Sequence, residues 1–249
     1  MGRTEIFAHR GANREAAENT RAAFDHALNY AIDGMETDIQ LSRDEVPVLW
    51  HDRFMGKLGY AEKHIDDFDY VELQQMNFAR HFSASAKAEG IVSLHEYLQA
   101  YRKRTRLLLE IKNREWEAPA RQQLKVRLTL AMVGQMTNET ILVSSFHLPS
   151  LLYAQQIQPG FPLVYNFEEE QTIAEARQIL TAHAFLHGLC LPISSLNQPM
   201  VELLRGEGKS IAVYTCNTDE EMMRALDLGV DILISDLPQK ALQIRDQNK

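Results

Sequence analysis

Short apolar runs alternate with longer amphipathic stretches along most of the chain. Eight of these runs have the length of buried strands, and they cover residues 6–9, 34–41, 107–112, 141–145, 163–167, 186–191, 211–216 and 230–235. Strands that alternate with helices predict an α/β fold with a parallel sheet. Eight such units predict a closed (β/α)8 TIM barrel, and an open doubly wound sheet is the alternative.

The stretches between these runs contain recognisable helix ends. Residues 20–33 place apolar side chains on one face, which predicts a helix over this segment. Ser93 with Glu96, and Thr218 with Glu221, have the spacing of a capping box, in which each side chain binds the backbone of the other residue. Each pair therefore predicts a helix N-terminus.

Residues 46–51 form a ninth apolar run, separated from the second strand only by residues 42–45. This connection is too short for a parallel crossover, so we expect an antiparallel hairpin. Residues 53–92, which include a helix-like segment at 70–76, are then a small insertion before barrel strands resume. The whole chain, residues 1–249, is predicted to be one domain.

Composition narrows the classes of partner. The chain has 249 residues and a formal net charge of −8 at pH 7. A nucleic-acid-binding protein needs a basic surface, so no nucleic-acid partner is expected, although local Arg and Lys side chains can still bind a small anion. Cys190 and Cys216 lie in apolar segments, which favours buried free thiols over a disulfide. We recognise no leader and no membrane-spanning run, and expect a cytoplasmic protein.

Three carboxylates are predicted at the carboxyl ends of neighbouring strands. Glu36 and Asp38 are two residues apart and share one face of their strand, and Glu110 and Lys112 repeat this spacing on the next barrel strand. Buried charges must be paired or must bind a metal. Three converging carboxylates suit Mg²⁺ or Ca²⁺ better than zinc. The alternative is that they form salt bridges with Arg10 and Lys112.

Two histidines are candidates for proton transfer. His9 and Arg10 end the first strand, where the imidazole would titrate near neutral pH and the guanidinium would bind an anionic group. His51 ends the hairpin and is followed by Asp52, which could orient its ring. Two imidazoles beside a phosphate could act as general base and general acid.

Other polar motifs are less specific. Glu18-Asn19-Thr20 fits helix capping as well as it fits a functional site. Ser144 and Ser145 end a strand, but neither lies in the Gly-x-Ser-x-Gly elbow of a serine hydrolase. The chain also contains no Walker or dinucleotide-binding motif, so bound ATP or NAD is not indicated.

Taken in order, the motifs resemble those of the glycerophosphodiester phosphodiesterase family. They are His9-Arg10-Gly11, Glu18-Asn19-Thr20, Glu36-x-Asp38, Pro47-Val48 with His51-Asp52, and Glu110-Ile111-Lys112, followed by Ser144-Ser145-Phe146, Tyr214-Thr215-x-Asn217 and Gly229-Val230-Asp231 through Ser235-Asp236-x-Pro238. The resemblance spans residues 6–238.

This resemblance implies a (β/α)8 barrel with a small insertion after the second strand. It implies that His9 and His51 are the acid–base pair, that Glu36, Asp38 and Glu110 bind a divalent metal, and that Arg10 and Lys112 bind the phosphate. The chain departs from the usual family motifs at Ala17, Glu45, residues 55–60, His95 and Tyr214. None of these departures removes a predicted metal ligand or catalytic residue, and they leave the preferred substrate open.

The expected reaction is hydrolysis of a glycerophosphodiester to sn-glycerol 3-phosphate and an alcohol such as choline or ethanolamine. The nucleophile is either water or the glycerol 2-hydroxyl. One alternative is a lipid phosphodiesterase of the lysophospholipase D or sphingomyelinase D type, which would need an apolar collar, for which the insertion offers Phe54, Met55, Phe68 and Phe82. A second is a non-catalytic barrel that binds glycerophosphodiesters, and a sugar-phosphate isomerase is a weaker third. Mg²⁺ versus Ca²⁺ and the oligomeric state stay open.

Overall fold

The computed structural model describes residues 3–83, 86–114, 116–134 and 140–247. Its strands are β1 (Glu5–His9), β2 (Gly34–Leu41), β3 (Pro47–Leu49), β4 (Arg106–Ile111), β5 (Ile141–Ser145), β6 (Leu163–Asn166), β7 (Gly188–Pro192), β8 (Ser210–Tyr214) and β9 (Ile232–Ser235). All strands except β3 pair in parallel around a ring, in which β1 pairs with both β2 and β9. The ring is closed, so the predicted barrel is confirmed and the open sheet is excluded.

Helices follow the barrel strands and surround them, except the second helix along the chain, which lies in the insertion. They are α1 (Arg21–Ala27), α2 (Tyr70–Gln75), α3 (Leu94–Tyr101), α4 (Pro119–Val133), α5 (Leu148–Ile157), α6 (Ile173–Ala182), α7 (Gln198–Gly206), α8 (Asp219–Asp227) and α9 (Pro238–Gln247). Both predicted capping boxes are confirmed, since Ser93 accepts a hydrogen bond from the Glu96 amide at 3.3 Å and Thr218 accepts one from the Glu221 amide at 3.2 Å.

The first helix is shorter than the predicted segment of residues 20–33. Helix α1 ends at Ala27. The chain then turns, and the turn ends where Asp33 is held by β1: its amide donates to the Ile6 carbonyl at 3.0 Å, and its carboxylate accepts from the Ile6 amide at 2.9 Å. At Gly34 a side chain would overlap the Phe7 ring, so this glycine permits the close start of β2.

Strand β2 takes part in three pairings. Its first residues pair in parallel with β1, residues 34–39 pair in parallel with β4, and residues 39–41 pair with the antiparallel strand β3. The predicted hairpin is therefore confirmed, and its turn includes Glu45 in the left-handed region at φ 67°. After β3 the chain reaches His51, which the hairpin returns to the carboxyl end of the barrel.

The insertion of residues 53–92 packs on this hairpin. It contains α2, and together with the hairpin it forms an apolar cluster separate from the main core, made of Val48, Trp50, Met55, Leu58, Ile65, Leu73, Phe78 and Ile91. Because Val48 and Trp50 come from the hairpin and its end, the insertion is attached through the segment that precedes His51. The assignment of residues 1–249 to a single domain stays a prediction.

An apolar cluster fills the barrel interior. Its members come from every barrel strand except β2, and they are Phe7, Leu108, Leu142, Val164, Cys190, Ala212, Ile232 and Ile234. Cys190 and Cys216 are both buried and free, as predicted. None of the helices in the described part of the chain is long and apolar enough to cross a bilayer. The cytoplasmic location stays a prediction.

Candidate active site

Polar side chains lie directly above the apolar barrel interior because of the two-residue period of the strands. On four strands an interior apolar residue is followed two positions later by a polar residue on the same face. These pairs are Phe7 and His9, Leu108 and Glu110, Leu142 and Ser144, and Val164 and Asn166. The carboxyl ends of the strands thus carry a ring of polar groups, at the face where barrel enzymes have their active sites.

A cavity of about 170 Å³ opens at this face. Six of the seven predicted site residues line it: His9, Arg10, Glu36, His51, Glu110 and Lys112. The seventh, Asp38, is completely buried behind the wall and contacts both Arg10 and Lys112. The structure therefore brings all seven predicted residues together.

Asp38 is the best-compensated charge of the site. Its Oδ1 lies 3.1 Å from the Lys112 ammonium, and its Oδ2 lies 3.2 Å from Nε of Arg10. Asn19 donates a further hydrogen bond to Oδ2 at 2.9 Å. Although burial alone would raise the pKa of Asp38, the charges of Lys112 and Arg10 hold it well below its ordinary value.

Glu36 is compensated less well. Burial, together with the neighbouring charge of Asp38, raises its pKa well above the ordinary value in spite of Arg10. One oxygen each of Glu36, Asp38 and Glu110 lies within 4.8 Å of the others. A divalent cation would supply the missing charge, and a donor set made only of oxygen fits Mg²⁺ or Ca²⁺.

Both interpretations of the carboxylates thus find support in the geometry. The salt bridges to Arg10 and Lys112 are present, and Lys112 also lies 2.6 Å from Glu110. These two cations cannot balance all the acidic groups, because Arg10 is shared with Glu18, whose Oε2 lies 3.1 Å from the guanidinium.

His9 is held at one ring nitrogen by Asp236. The distance from Nδ1 to the Asp236 carboxylate is 2.6 Å, and Nε2 faces the cavity 3.9 Å from Glu36. Burial and the Arg10 charge lower the pKa of His9, whereas Asp236 opposes them. Asp236 is itself fixed by Asn13 at 2.7 Å, and by further bonds from Arg14 and Asn217.

His51 is held in the same way by Asp52, as the sequence predicted. Its Nδ1 lies 2.9 Å from the Asp52 carboxylate, whose second oxygen lies 2.9 Å from the Lys57 ammonium. Lys57 also contacts Glu18 at 2.5 Å. The backbone here is positioned by Gln40, whose amide donates to the carbonyl of Asp52 at 3.1 Å.

Some members of this network were not predicted as site residues. Glu18 and Asn19, left open between capping and function, bind Arg10 and Asp38, while Thr20 caps α1 by accepting from the Ala23 amide. Asp236 directly follows β9, and its place at a strand end was a usable signal. The roles of Lys57, Asn13 and Asn217 depend on the paths of loops, which sequence periodicity does not describe.

Comparison with known proteins agrees with this geometry. Residues 9–240 match the glycerophosphoryl diester phosphodiesterase family. A glycerophosphodiester phosphodiesterase of Bacillus altitudinis is 27% identical over 99% of this chain and 100% of its own length. A human lysophospholipase D is 24% identical, and the match covers 94% of this chain and 83% of the length of the human protein.

Solved structures show the same fold. A putative glycerophosphoryl diester phosphodiesterase of Silicibacter pomeroyi superposes with a TM-score of 0.87 at 21% identity, covering 99% of this chain and 94% of that one. A phosphodiesterase of Oleispira antarctica, in complex with the product sn-glycerol-3-phosphate, has a TM-score of 0.87 at 25% identity, covering 97% and 96%. The chain belongs to the glycerophosphoryl diester phosphodiesterase family, and it is an enzyme of this class.

Proposed function

We propose that the protein hydrolyses glycerophosphodiesters, such as glycerophosphocholine and glycerophosphoethanolamine, to sn-glycerol 3-phosphate and an alcohol. The observation that carries this proposal is the cavity that both histidines line together with two cations and two carboxylates. An anionic diester in this cavity would meet cationic groups and two proton-transfer groups at once. The product bound to the Oleispira antarctica phosphodiesterase supports the same reaction.

Glu36, Asp38 and Glu110 would hold a divalent cation, either Mg²⁺ or Ca²⁺. When bound, the cation would neutralise charge that develops on the phosphodiester oxygens. Arg10 and Lys112 would bind the same oxygens, because both line the cavity and both keep their positive charge among the carboxylates. Arg10 is turned toward Asp38 and Glu18, which fix the plane of its guanidinium.

His9 and His51 would move the protons. An Nδ1–H bond to a carboxylate leaves Nε2 of each ring to face the substrate. One imidazole would deprotonate the nucleophile, either water or the glycerol 2-hydroxyl, and the other would protonate the departing alkoxide. The two rings come from different segments, β1 and the end of the hairpin, and both line the cavity, so a phosphate bound there would have one imidazole near the nucleophile and the other near the leaving group.

The test is release of sn-glycerol 3-phosphate from glycerophosphocholine after chelation, followed by addition of Mg²⁺ or Ca²⁺. We expect activity to disappear with chelator and to return with one of these ions. Glu110→Gln should need more metal for the same rate, whereas Glu202→Gln, at an exposed position on α7, should behave as wild type. Full activity in chelator would refute the metal site, and binding without any product release would favour the non-catalytic barrel.

A lipid substrate is the second candidate, because the human relative is a lysophospholipase D. Of the expected collar residues, Met55 is completely buried and unavailable to an acyl chain, and Phe68 is partly buried against the insertion cluster. Phe54 stacks on His64, and Phe82 is exposed. We therefore expect faster hydrolysis of glycerophosphocholine than of its acylated counterpart. Comparison of kcat/KM for the two substrates distinguishes the candidates.

A further inference from the structure

Asn166 is a buried polar group of the cavity with unused hydrogen-bonding capacity. It ends β6, is only 4% exposed and lines the cavity. Its Nδ2 lies 3.4 Å from Oγ of Ser144, a long hydrogen bond. Its Oδ1 is buried and has no hydrogen-bond partner within the ranges that the structure describes. A buried carbonyl without a donor is costly, so this oxygen is suited to a donor that arrives with a ligand.

The wall around Asn166 differs from the rest of the cavity. Strands β5 to β7 and the residue after β5 contribute only neutral side chains to it: Ser144, Phe146, Asn166 and Cys190. Cys190 is paired with Asn166 across the sheet, and burial raises the pKa of its thiol well above the ordinary value, so it is uncharged. The charged groups that line the cavity come from β2, β4 and the residues after β1 and β4, and of these only Glu110, paired with Ser144, and Lys112, 5.7 Å from the Phe146 ring, adjoin this wall. This wall therefore suits a small neutral group with hydroxyls rather than a charged alcohol.

The neighbouring space explains where the rest of a substrate can lie. Two larger clefts adjoin the cavity. One, of about 620 Å³, includes Arg114 and Glu168, and the other, of about 470 Å³, includes Arg14 and Phe82. The alcohol of a glycerophosphodiester varies in size and charge, and either cleft has room for it. The glycerol part is constant and small, which matches the narrow neutral wall.

We infer that the Oδ1 of Asn166 accepts a hydrogen bond from a hydroxyl of the glycerol group, so that the wall of β5 to β7 recognises this part of the substrate. This inference rests on the proposed function and deepens it. A site built to bind a hydroxyl discriminates strongly against an analogue that lacks it, because the buried acceptor is then left unpaired. Asn166 would thus set the preference of the site for glycerol esters over other phosphodiesters.

The experiment measures binding of three phosphomonoesters to the metal-loaded protein by calorimetry and by competitive inhibition. They are sn-glycerol 3-phosphate, propane-1,2-diol 1-phosphate, which lacks the terminal hydroxyl, and propane-1,3-diol phosphate, which lacks the central one. In the wild type, we expect one analogue to bind about ten- to hundredfold more weakly than sn-glycerol 3-phosphate. That analogue identifies the hydroxyl that Asn166 accepts.

Variants show whether Asn166 is responsible. Asn166→Leu has a similar size but no hydrogen-bond acceptor. It should therefore weaken the binding of sn-glycerol 3-phosphate while the affinity for the analogue that the wild type binds more weakly stays nearly unchanged. The preference for sn-glycerol 3-phosphate should then disappear. Asn166→Ser is a second variant with the same expectation, because its hydroxyl is too short to replace the amide. Asn29→Leu is the matched control, because it makes the same change at an exposed asparagine that does not line the cavity, and it should keep the preference.

Inorganic phosphate is the reference ligand, since it reports on the phosphate site alone. It should bind equally to the wild type, Asn166→Leu and Asn29→Leu. Equal binding of all three esters by the wild type would overturn the inference whatever the variants do, and so would an undiminished preference in Asn166→Leu. If inorganic phosphate and the esters all failed to bind the wild type, the proposed function would fall and the inference with it.

Discussion

The two histidines of the site have the same kind of partner but different surroundings. Each ring is bonded through Nδ1 to an aspartate, His9 to Asp236 and His51 to Asp52. His9 is carried by a barrel strand and its side chain is 16% exposed, whereas His51 follows the hairpin and is 33% exposed. Asp236 is 10% exposed and Asp52 is 37% exposed. The site thus has a buried barrel half and a more open hairpin half.

The two aspartates also differ in how they are held. Four side chains donate to Asp236, those of His9, Asn13, Arg14 and Asn217. These bonds hold the pKa of Asp236 below its ordinary value although burial alone would raise it. Asp52 contacts only His51 and Lys57 among the side chains of the described residues. A buried hydrogen-bond network is worth more than its exposed counterpart, so we expect the barrel half to be more sensitive to the loss of its carboxylate.

A second contrast concerns cations. Each half contains a cluster with potential metal ligands: Glu36, Asp38 and Glu110 in the barrel half, and Glu18, His51 and Asp52 in the hairpin half. In the hairpin half, Lys57 already lies between two of the three, 2.5 Å from Glu18 and 2.9 Å from Asp52. Lys112 has a similar place in the barrel cluster, 3.1 Å from Asp38 and 2.6 Å from Glu110. The third member differs: in the barrel half it is the buried carboxylate of Glu36, whose raised pKa shows that its charge is poorly compensated, whereas in the hairpin half it is the His51 imidazole, already bonded to Asp52. We therefore expect metal in the barrel half alone.

The largest effect is expected from removal of either histidine. His9→Ala and His51→Ala should each lower kcat for glycerophosphocholine by roughly 10²- to 10⁴-fold, the usual contribution of a general acid or base. A diester with a 4-nitrophenolate leaving group needs no protonation of that group, so it should restore activity in one variant only. Recovery in neither variant, or in both equally, would contradict a division of acid and base roles between the two rings.

Metal binding should separate the two carboxylate clusters. A cation that binds the folded protein stabilises it by about 2.7 kcal/mol at 100 times its Kd, which corresponds to a rise in Tm of roughly 5–10 °C for a domain of this size. Glu36→Gln should abolish this rise and the activity that depends on it. Glu18→Gln, in the hairpin cluster, should keep the rise in Tm. A calorimetric scan with and without Mg²⁺ or Ca²⁺ makes the comparison, and loss of the rise in Glu18→Gln would contradict it.

Removal of the orienting carboxylates should have an intermediate effect. Asp236→Asn should lower kcat by roughly 10- to 100-fold, as substitutions that misorient a functional histidine do, with little change in KM. Asp52→Asn should lower kcat less, because water can take over part of the hydrogen bonding of a more exposed imidazole ring. Steady-state kinetics of the two variants, with unchanged melting temperatures, measures the difference. Equal losses would show that exposure does not set the importance of the aspartate.

The barrel half was also the more predictable half. Its residues follow the two-residue period of strands, so the sequence alone places Glu110 above Leu108 and His9 above Phe7. Even so, the partner of His9 was not predicted, because Asp236 is 227 residues away and reaches it only when the ring closes between β9 and β1.

The hairpin half was predictable only in part. The short connection before β3 indicated the return of His51 to the site, and the adjacent Asp52 was recognised as its partner. Lys57 was not, since its position depends on the turn that follows, which no periodic pattern describes. The helix predicted over residues 20–33 was too long for a similar reason: α1 ends at Ala27, a turn follows it, and Asp33 is bonded to β1 rather than to the helix.

The smallest effect is expected from Lys57, although it links two carboxylates near His51. Lys57→Met should lower kcat only a few-fold, because Asp52 is partly exposed and water can solvate its charge once the ammonium is lost. Lys57→Arg should restore most of the rate, and Lys63→Met, at an exposed position of the insertion, is the matched control. The kcat of these three variants is compared with that of Asp236→Asn. A loss in Lys57→Met as large as that in Asp236→Asn would mean that the hairpin half is as tightly organised as the barrel half.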